Sequence, residues 1–322
     1  MLLYASDWFE KHDTGSHPEC IARISNVNRM LQERGWNAAC HRPAWMAASA
    51  DRCHLNHSPE YIEQLHDWSV QGAGRVEADT VVSTGTWDAA MLGVGALCDA
   101  IDRIARGEDS SAFCAIRPPG HHALRDAPMG FCVVNNIAVA AKRAQAVGFE
   151  RVLIVDWDVH HGNGTQASFW TDPSVGFLSI HRFPFYPGTG REDERGEGKG
   201  EGFTVNIPVA ADTSAQEFLN RMIDATEPFA DRLRPQLILL SAGFDAHVAD
   251  PVGGLTLESE HYEQAGQWIA DLAKRHCAGR LVSVLEGGYH LQHMPESVDA
   301  HLRGINHLMQ GPPAKDKSKP KR

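Results

Sequence analysis

Two periodicities alternate along the chain. Short apolar runs read as strands buried on both faces: Leu2–Ala5, Phe113–Ile116, Val152–Val155, Val175–Ile180, Leu237–Leu240 and Leu281–Leu285, with Phe203–Val209 a more mixed one. Between them apolar residues recur at helical spacing. Pro18–Glu33 brings Ile21, Ile24, Val27 and Leu31 onto one face. Pro59–Trp68 follows a Ser58 cap, and Gly85–Ala105 is rich in small residues that allow close packing. Asn135–Val147 has Asn135 or Asn136 as its cap, Ser214 caps a helix to about Arg232, and Glu258–Lys274 and a C-terminal segment are helical. Strand and helix alternate with no repeat or composition break before Gly311. This predicts an α/β fold: a single domain over 1–311 with a mainly parallel sheet flanked by helices, and a basic, disordered tail over 312–322.

The polar residues collect where the apolar runs stop. Val152–Val155 breaks into Asp156, Asp158, His160 and His161, then Gly162-Asn163-Gly164-Thr165. On an extended backbone Asp156, Asp158 and His160 share one side and His161 faces away. Two acids and an imidazole at the end of a buried strand are costly unless compensated, and a metal ion is the commonest compensation. Three other strands end the same way. One runs into Pro118-Pro119-Gly120-His121-His122, one into Gly243-Phe244-Asp245, and one into Glu286-Gly287-Gly288-Tyr289.

Open parallel sheets bind ligands beyond the carboxyl ends of their strands, so these four stretches are expected to meet. Asp158, His160 and Asp245 form a three-ligand set that leaves a position for water or substrate. The donors suit zinc, and equally Fe(II), Co(II) or Mn(II). The tandem His121-His122 is a candidate for proton transfer, with Asp156 and Asn163 available to orient it. Asn163 can also simply cap a helix. Tyr289 can donate to an oxyanion or be an ordinary core tyrosine. Gly130-Phe131 and Phe185-Tyr186 can wall an apolar tunnel or pack in the core. His54, His57, His66, His261 and His276 read as structural or solvated. Residues 188–202 carry alternating glycines but neither follow a strand nor open a helix, so they make no dinucleotide cradle.

Composition narrows the classes. With 43% hydrophobic and 22% charged residues the chain is ordinary globular protein, and no stretch approaches a membrane span. The N-terminus acquires charge too early for a signal peptide. Seven cysteines without a CxxC pair read as reduced thiols, and the expected location is cytoplasmic. A net charge of −11 argues against direct nucleic-acid binding. The pattern specifies no oligomeric state.

Taken in order, HPECIARI, IRPPGHHA, GFCVVNNIAVAA, VDWDVHHGNGTQ, SIHRFPFYPGTG, SAGFDAHVADPVGGL and LEGGYHL resemble the zinc-dependent histone deacetylase superfamily of the arginase-deacetylase fold. The resemblance extends to bacterial histone deacetylase-like amidohydrolases, and asparagine at position 163 is similar to the class II branch. It implies Zn2+ on Asp158, His160 and Asp245, with Fe2+ or Co2+ accommodated. It implies His122 as general base and acid, His121 as its electrostatic partner, Asp156 and Asn163 as their orienters, and Tyr289 as oxyanion donor. The Gly130 carbonyl would accept from the substrate amide, and Phe131 and Tyr186 would flank an acyl-lysine chain. A structural K+ or Na+ would fall on Asp156, Asp158, His160, Ser179 and Ile180, with a second near Phe169, Asp172, Val175 and Phe203. Polyamine-selective members carry an acid where this chain has Val252, so the expected substrate is an acyl-lysine protein or peptide. A small acylated amine such as an acetylpolyamine is the alternative, and a non-catalytic acyl-lysine binder a third. Asp245-Ala246-His247 is similar to the DAH of two-metal ureohydrolases, but Asp250 comes one residue late for their pattern.

Overall fold

Leu2–Ala5 (β1), Ser111–Ala115 (β4), Val152–Asp156 (β5), Val175–Arg182 (β6), Thr204–Val209 (β7), Leu237–Ala242 (β8) and Leu281–Leu285 (β9) form one seven-stranded sheet in the order β1-β4-β9-β8-β5-β6-β7. Every neighbouring pair is parallel. The computed structural model of the protein describes residues 1–307. The tail expected over 312–322, and the domain end at 311, lie outside the described residues. A two-stranded hairpin, Gly74–Arg75 (β2) with Val81–Val82 (β3), stands apart from the sheet. It is too short to leave an apolar run in the sequence.

The helices are Ile21–Glu33 (α1), Trp36–Ala39 (α2), Ala50–Cys53 (α3), Pro59–Gln71 (α4), Thr86–Ala105 (α5), Asn136–Ala146 (α6), Asn163–Phe169 (α7), Ala215–Leu233 (α8), Ser259–Cys277 (α9) and His293–Ile305 (α10). Ser58, Asn135 and Ser214 cap α4, α6 and α8 through their side chains. Both α6 and α9 pack on β8, while α8 packs on β6 and β7. Every residue of β5, β8 and β9 is buried. Two-sided burial explains why these strands read as continuous apolar runs rather than alternating ones. No helix among the described residues is long and apolar enough to cross a membrane.

Register positions the site. Asp156 lies opposite Ser179 on one side and Ser241 on the other, and Ala242 lies opposite Leu285. Strands β5, β8 and β9 therefore end level with one another, and the turns that follow them converge. Beneath this edge two arginines with 1% and 0% exposure, Arg23 and Arg117, share the Glu19 carboxylate at 2.7 and 2.6 Å. Arg23 also donates to the carbonyls of Gly288 and Glu286 at 2.5 and 2.6 Å, and Arg117 to those of Phe9 and His12. Burial alone would raise the Glu19 pKa, but the Arg117 and Arg23 charges and the His12 and Arg117 hydrogen bonds hold it well below the usual carboxylate range.

Glu19→Gln leaves two guanidiniums buried against a neutral amide. We expect a loss of about 3–5 kcal/mol in denaturant unfolding at pH 7. A carboxylate with a depressed folded-state pKa stabilises fully above its unfolded value and loses that contribution as pH falls toward the folded value. The gap between wild type and variant should therefore narrow below about pH 4. A pH-independent gap would assign the loss to packing instead.

Candidate active site

Strand β5 ends at Asp156, and residues 157–162 turn over the sheet edge. The alternation expected on an extended backbone thus gives way to a turn held by its own carboxylates. Asp156 Oδ1 accepts from the Asp158 amide at 3.1 Å, Asp158 Oδ1 from the His160 amide at 3.0 Å, and Asp245 Oδ1 from the Val159 amide at 2.9 Å. Asp158 Oδ2 also accepts from the Gly287 amide at 2.8 Å. Four peptide groups so fix three acids that are each 0% exposed.

Asp158, His160 and Asp245 come together with their ligand atoms all within 4.8 Å of one another. His160 Nδ1 lies 3.1 Å from both Asp158 Oδ1 and Asp245 Oδ2. Phe185 stacks on its ring at 5.3 Å and 16°. Burial, and then the Asp158 charge, push the Asp245 pKa up to about 7. Among the described residues, two imidazoles, His121 and His160, meet Asp156, Asp158 and Asp245 directly. This donor set therefore carries surplus negative charge in a buried place, and a divalent cation fits it.

The two adjacent histidines are held differently. His121 Nδ1 is 2.9 Å from Asp156 Oδ2, and His122 Nδ1 is 2.7 Å from Asn163 Oδ1. Burial disfavours the His121 imidazolium, yet the Asp156 and Asp158 carboxylates outweigh it and raise the pKa to about 10. Among the described residues no carboxylate meets the ring nitrogens of His122. Burial, and then the charges of His121 and His160, hold it well below the usual histidine range. Asn163 is the first residue of α7 and makes no side-chain cap, so its amide is free for His122. An amide oxygen only accepts, so Nδ1 carries the His122 proton and Nε2 is left basic.

A cavity of about 210 Å³ leads to this group, lined by Asp79, His122, Gly130, Phe131, His160, Phe185, Tyr186, Val252 and Tyr289. Tyr186 meets the His122 ring edge-on at 5.2 Å, and Phe131 meets Tyr289 at 5.6 Å. Gly130 has φ +55°, and a Cβ there would come within 2.5 Å of His122 Cδ2. Only glycine lets the chain pass so close to that ring. Burial keeps the Tyr289 phenol protonated, its pKa far above the ordinary value despite Arg23 at 4.8 Å from the ring.

The remaining expected residues divide into two places. Ser179 and Ile180 lie on β6 beside Asp156, and the Ser179 hydroxyl bonds His181 Nδ1 at 2.9 Å. Phe169, Asp172 and Val175 surround the turn that opens β6, where the Phe203 carbonyl accepts from the Phe177 amide. The two candidate cation sets therefore sit at opposite ends of one strand. His161 points away from the acids, toward Thr189 and Gln166.

Sequence reasoning gave no role to several residues that shape the site. Glu286, 1% exposed, accepts from the Gly120 and His121 amides at 2.7 and 3.2 Å and from the Ser241 hydroxyl. It carries the same signal as Asp156, an acid at the end of a buried strand. Asp250 accepts from Tyr289 and His290 through one oxygen and from Val252 and Gly253 through the other, tying two walls of the cavity together. Asp79, on the hairpin, reaches the cavity with no such signal in the sequence.

Known proteins are similar to this chain over most of its length. The histone deacetylase domain model matches residues 17–305. A "Probable deacetylase" of Archaeoglobus fulgidus is 37% identical over 90% of this chain and 81% of its own. The "Histone deacetylase-like amidohydrolase" of Pseudomonas aeruginosa is 34% identical over 97% and 83%. The human "Polyamine deacetylase HDAC10" is 36% identical over 92% of this chain and 46% of its own. The crystal structure of the HDA15 HD domain superposes with a TM-score of 0.89 at 33% identity, covering 94% and 87% of the two chains.

The donor set predicts about one tightly held divalent ion per chain in purified protein, measured by elemental analysis after desalting. Asp158→Ala and Asp245→Ala should each lose most of it. A full complement in Asp245→Ala would rule out the three-residue site.

Proposed function

Because the chain belongs to the histone deacetylase family, whose members hydrolyse amides, we propose that it removes acetyl or other acyl groups from the side-chain amine of lysine in proteins or peptides. The observation that carries this reading is the convergence of His122, with its Nδ1 on Asn163, the Tyr289 phenol and the Asp158–His160–Asp245 set on one narrow aromatic cavity. Asp158, His160 and Asp245 would hold zinc, or Fe(II) or Co(II), which would supply Lewis acidity toward a water and the acyl carbonyl.

The chain's own groups do the rest. His122 Nε2 takes the proton of the attacking water, and its Nδ1–H keeps the ring aligned on Asn163. The same nitrogen then returns the proton to the departing amine, so the acyl C–N bond breaks to a neutral amine. His121, clamped by Asp156, keeps a positive charge beside the reacting centre. Tyr289 donates its phenol hydrogen to the carbonyl oxygen as negative charge develops there. Phe131 and Tyr186 enclose the methylenes of an extended chain, and the Gly130 carbonyl accepts from the substrate amide. A structural K+ or Na+ near Ser179 and Ile180, and another near Asp172, would complete the site.

A small acylated amine is the rival substrate, since one relative is named for polyamine deacetylation. Val252 on the cavity wall favours the peptide reading, because an apolar side chain offers a second ammonium group no partner.

On an acetyl-lysine peptide, His122→Ala should lower kcat by about 10²–10⁴-fold and Tyr289→Phe by about 10²–10³-fold at unchanged metal content. Full turnover in His122→Ala would refute the scheme. The kcat/KM of the wild type should be higher for the peptide than for acetylputrescine. Val252→Glu should shift that ratio about tenfold toward acetylputrescine. A wild-type preference for acetylputrescine would instead make the protein a polyamine enzyme.

A further inference from the structure

One wall of the cavity hangs on a segment that the sequence marks only as charged and glycine-rich. Phe185 and Tyr186 lie in the irregular stretch between the end of β6 at Arg182 and Gly190. At its start this stretch is tied by the Phe183 amide to the Val209 carbonyl at 2.8 Å. Its far end is tied by side chains. Glu194 Oε2 accepts from the Gly190 amide at 3.1 Å and from Gln166 Nε2 at 2.7 Å, and Oε1 accepts from the Arg191 amide at 3.1 Å.

Gln166 Oε1 in turn accepts from Asn206 Nδ2 at 2.7 Å and faces His161 Nε2 at 3.0 Å. Because that oxygen only accepts, His161 carries its proton on Nε2 and accepts on Nδ1 from the Thr189 hydroxyl at 2.8 Å. His181 likewise donates to the Gly190 carbonyl at 2.8 Å and accepts from Ser179. Gly190 fits between the two rings only as glycine, with φ +89° and a would-be Cβ 2.6 Å from His161. His161 and His181 are 0% exposed and Gln166 8%, so each lost bond would leave a buried polar group unpaired. The chain of bonds begins one turn along α7 from Asn163, which orients His122.

We propose that Glu194 is a positioning residue for substrate binding. Through Gln166, His161 and the Gly190 and Arg191 amides it holds Phe185 and Tyr186 in place against His160 and His122. This deepens the deacylase reading and rests on it for its kinetic consequence. The carboxylate itself touches neither the base nor the acids, so its loss acts on the wall and leaves the chemistry in place.

The test is Glu194→Ala beside Thr189→Val, which removes only the hydroxyl that His161 accepts from. With an acetyl-lysine peptide, both should raise KM by about fivefold or more at a kcat within about twofold of wild type. Hydrogen exchange of peptides spanning 183–190 should accelerate about tenfold in Glu194→Ala, with α6 and β8 unchanged. Glu194→Ala and Gln166→Ala should combine non-additively in KM, as members of one chain of contacts do. Unchanged exchange over 183–190 would overturn the proposal, as would equal KM in all variants. A fall in kcat at constant KM would overturn it too. Faster exchange in a protein whose wild type turns over no acyl-lysine substrate would sink the deacylase reading while leaving the positioning role standing.

Discussion

Burial of negative charge is the constraint on which this structure depends. Asp156, Asp158 and Asp245 lie together at the centre of the sheet edge with no exposure to solvent. An unpaired buried carboxylate costs several kcal/mol, so the surrounding chain is arranged to meet their oxygens. The amides of Asp158, Val159, His160 and Gly287 all turn toward them. The turns after β5 and β9 take their shape from those bonds. The charge that remains suits the group to a cation rather than to a buried salt bridge.

The same charge separates the two adjacent histidines. His121 and His122 have ring centroids 4.0 Å apart, yet their ring nitrogens meet unlike partners. Carboxylates raise the proton affinity of His121, while burial and the charges of His121 and His160 lower that of His122. A pair with identical side chains thus differs in which ring favours its proton. Replacing the amide of Asn163 by a carboxylate would draw the two affinities together.

Around this centre lies a layer of neutral and charged groups that hold walls rather than react. Asp250 joins Tyr289 to Val252, Glu286 holds the turn before the histidines, and the Glu194–Gln166–His161 chain holds the aromatic stretch opposite. Each acts through backbone amides or carbonyls as well as side chains. Such contacts fix where a neighbouring residue can be, which is what a narrow cavity requires.

The layers and the chemistry of the strand ends are legible in the order of residues alone. Strands buried on both faces must be apolar throughout, so β5, β8 and β9 were legible as runs. An acid or imidazole directly after such a run stands out because burial there is costly. Asp158, His160, Asp245, His121 and His122 stand out as candidates on that ground, while Tyr289 is a candidate only beside the other motifs, whose order points to the family. Glu286 showed the same signal and was passed over, because nothing local tells an acid that reacts from one that holds a turn. Which strand ends lie side by side follows from packing across the whole sheet, which sets the order β9-β8-β5. That packing also decided the partners of His161, Gln166 and Glu194. Their bonds join residues from α7, a loop and β7, and long-range pairing of neutral polar groups leaves no periodicity in a sequence. The hairpin that brings Asp79 to the cavity was hidden for the complementary reason: two-residue strands bury too little to leave a pattern.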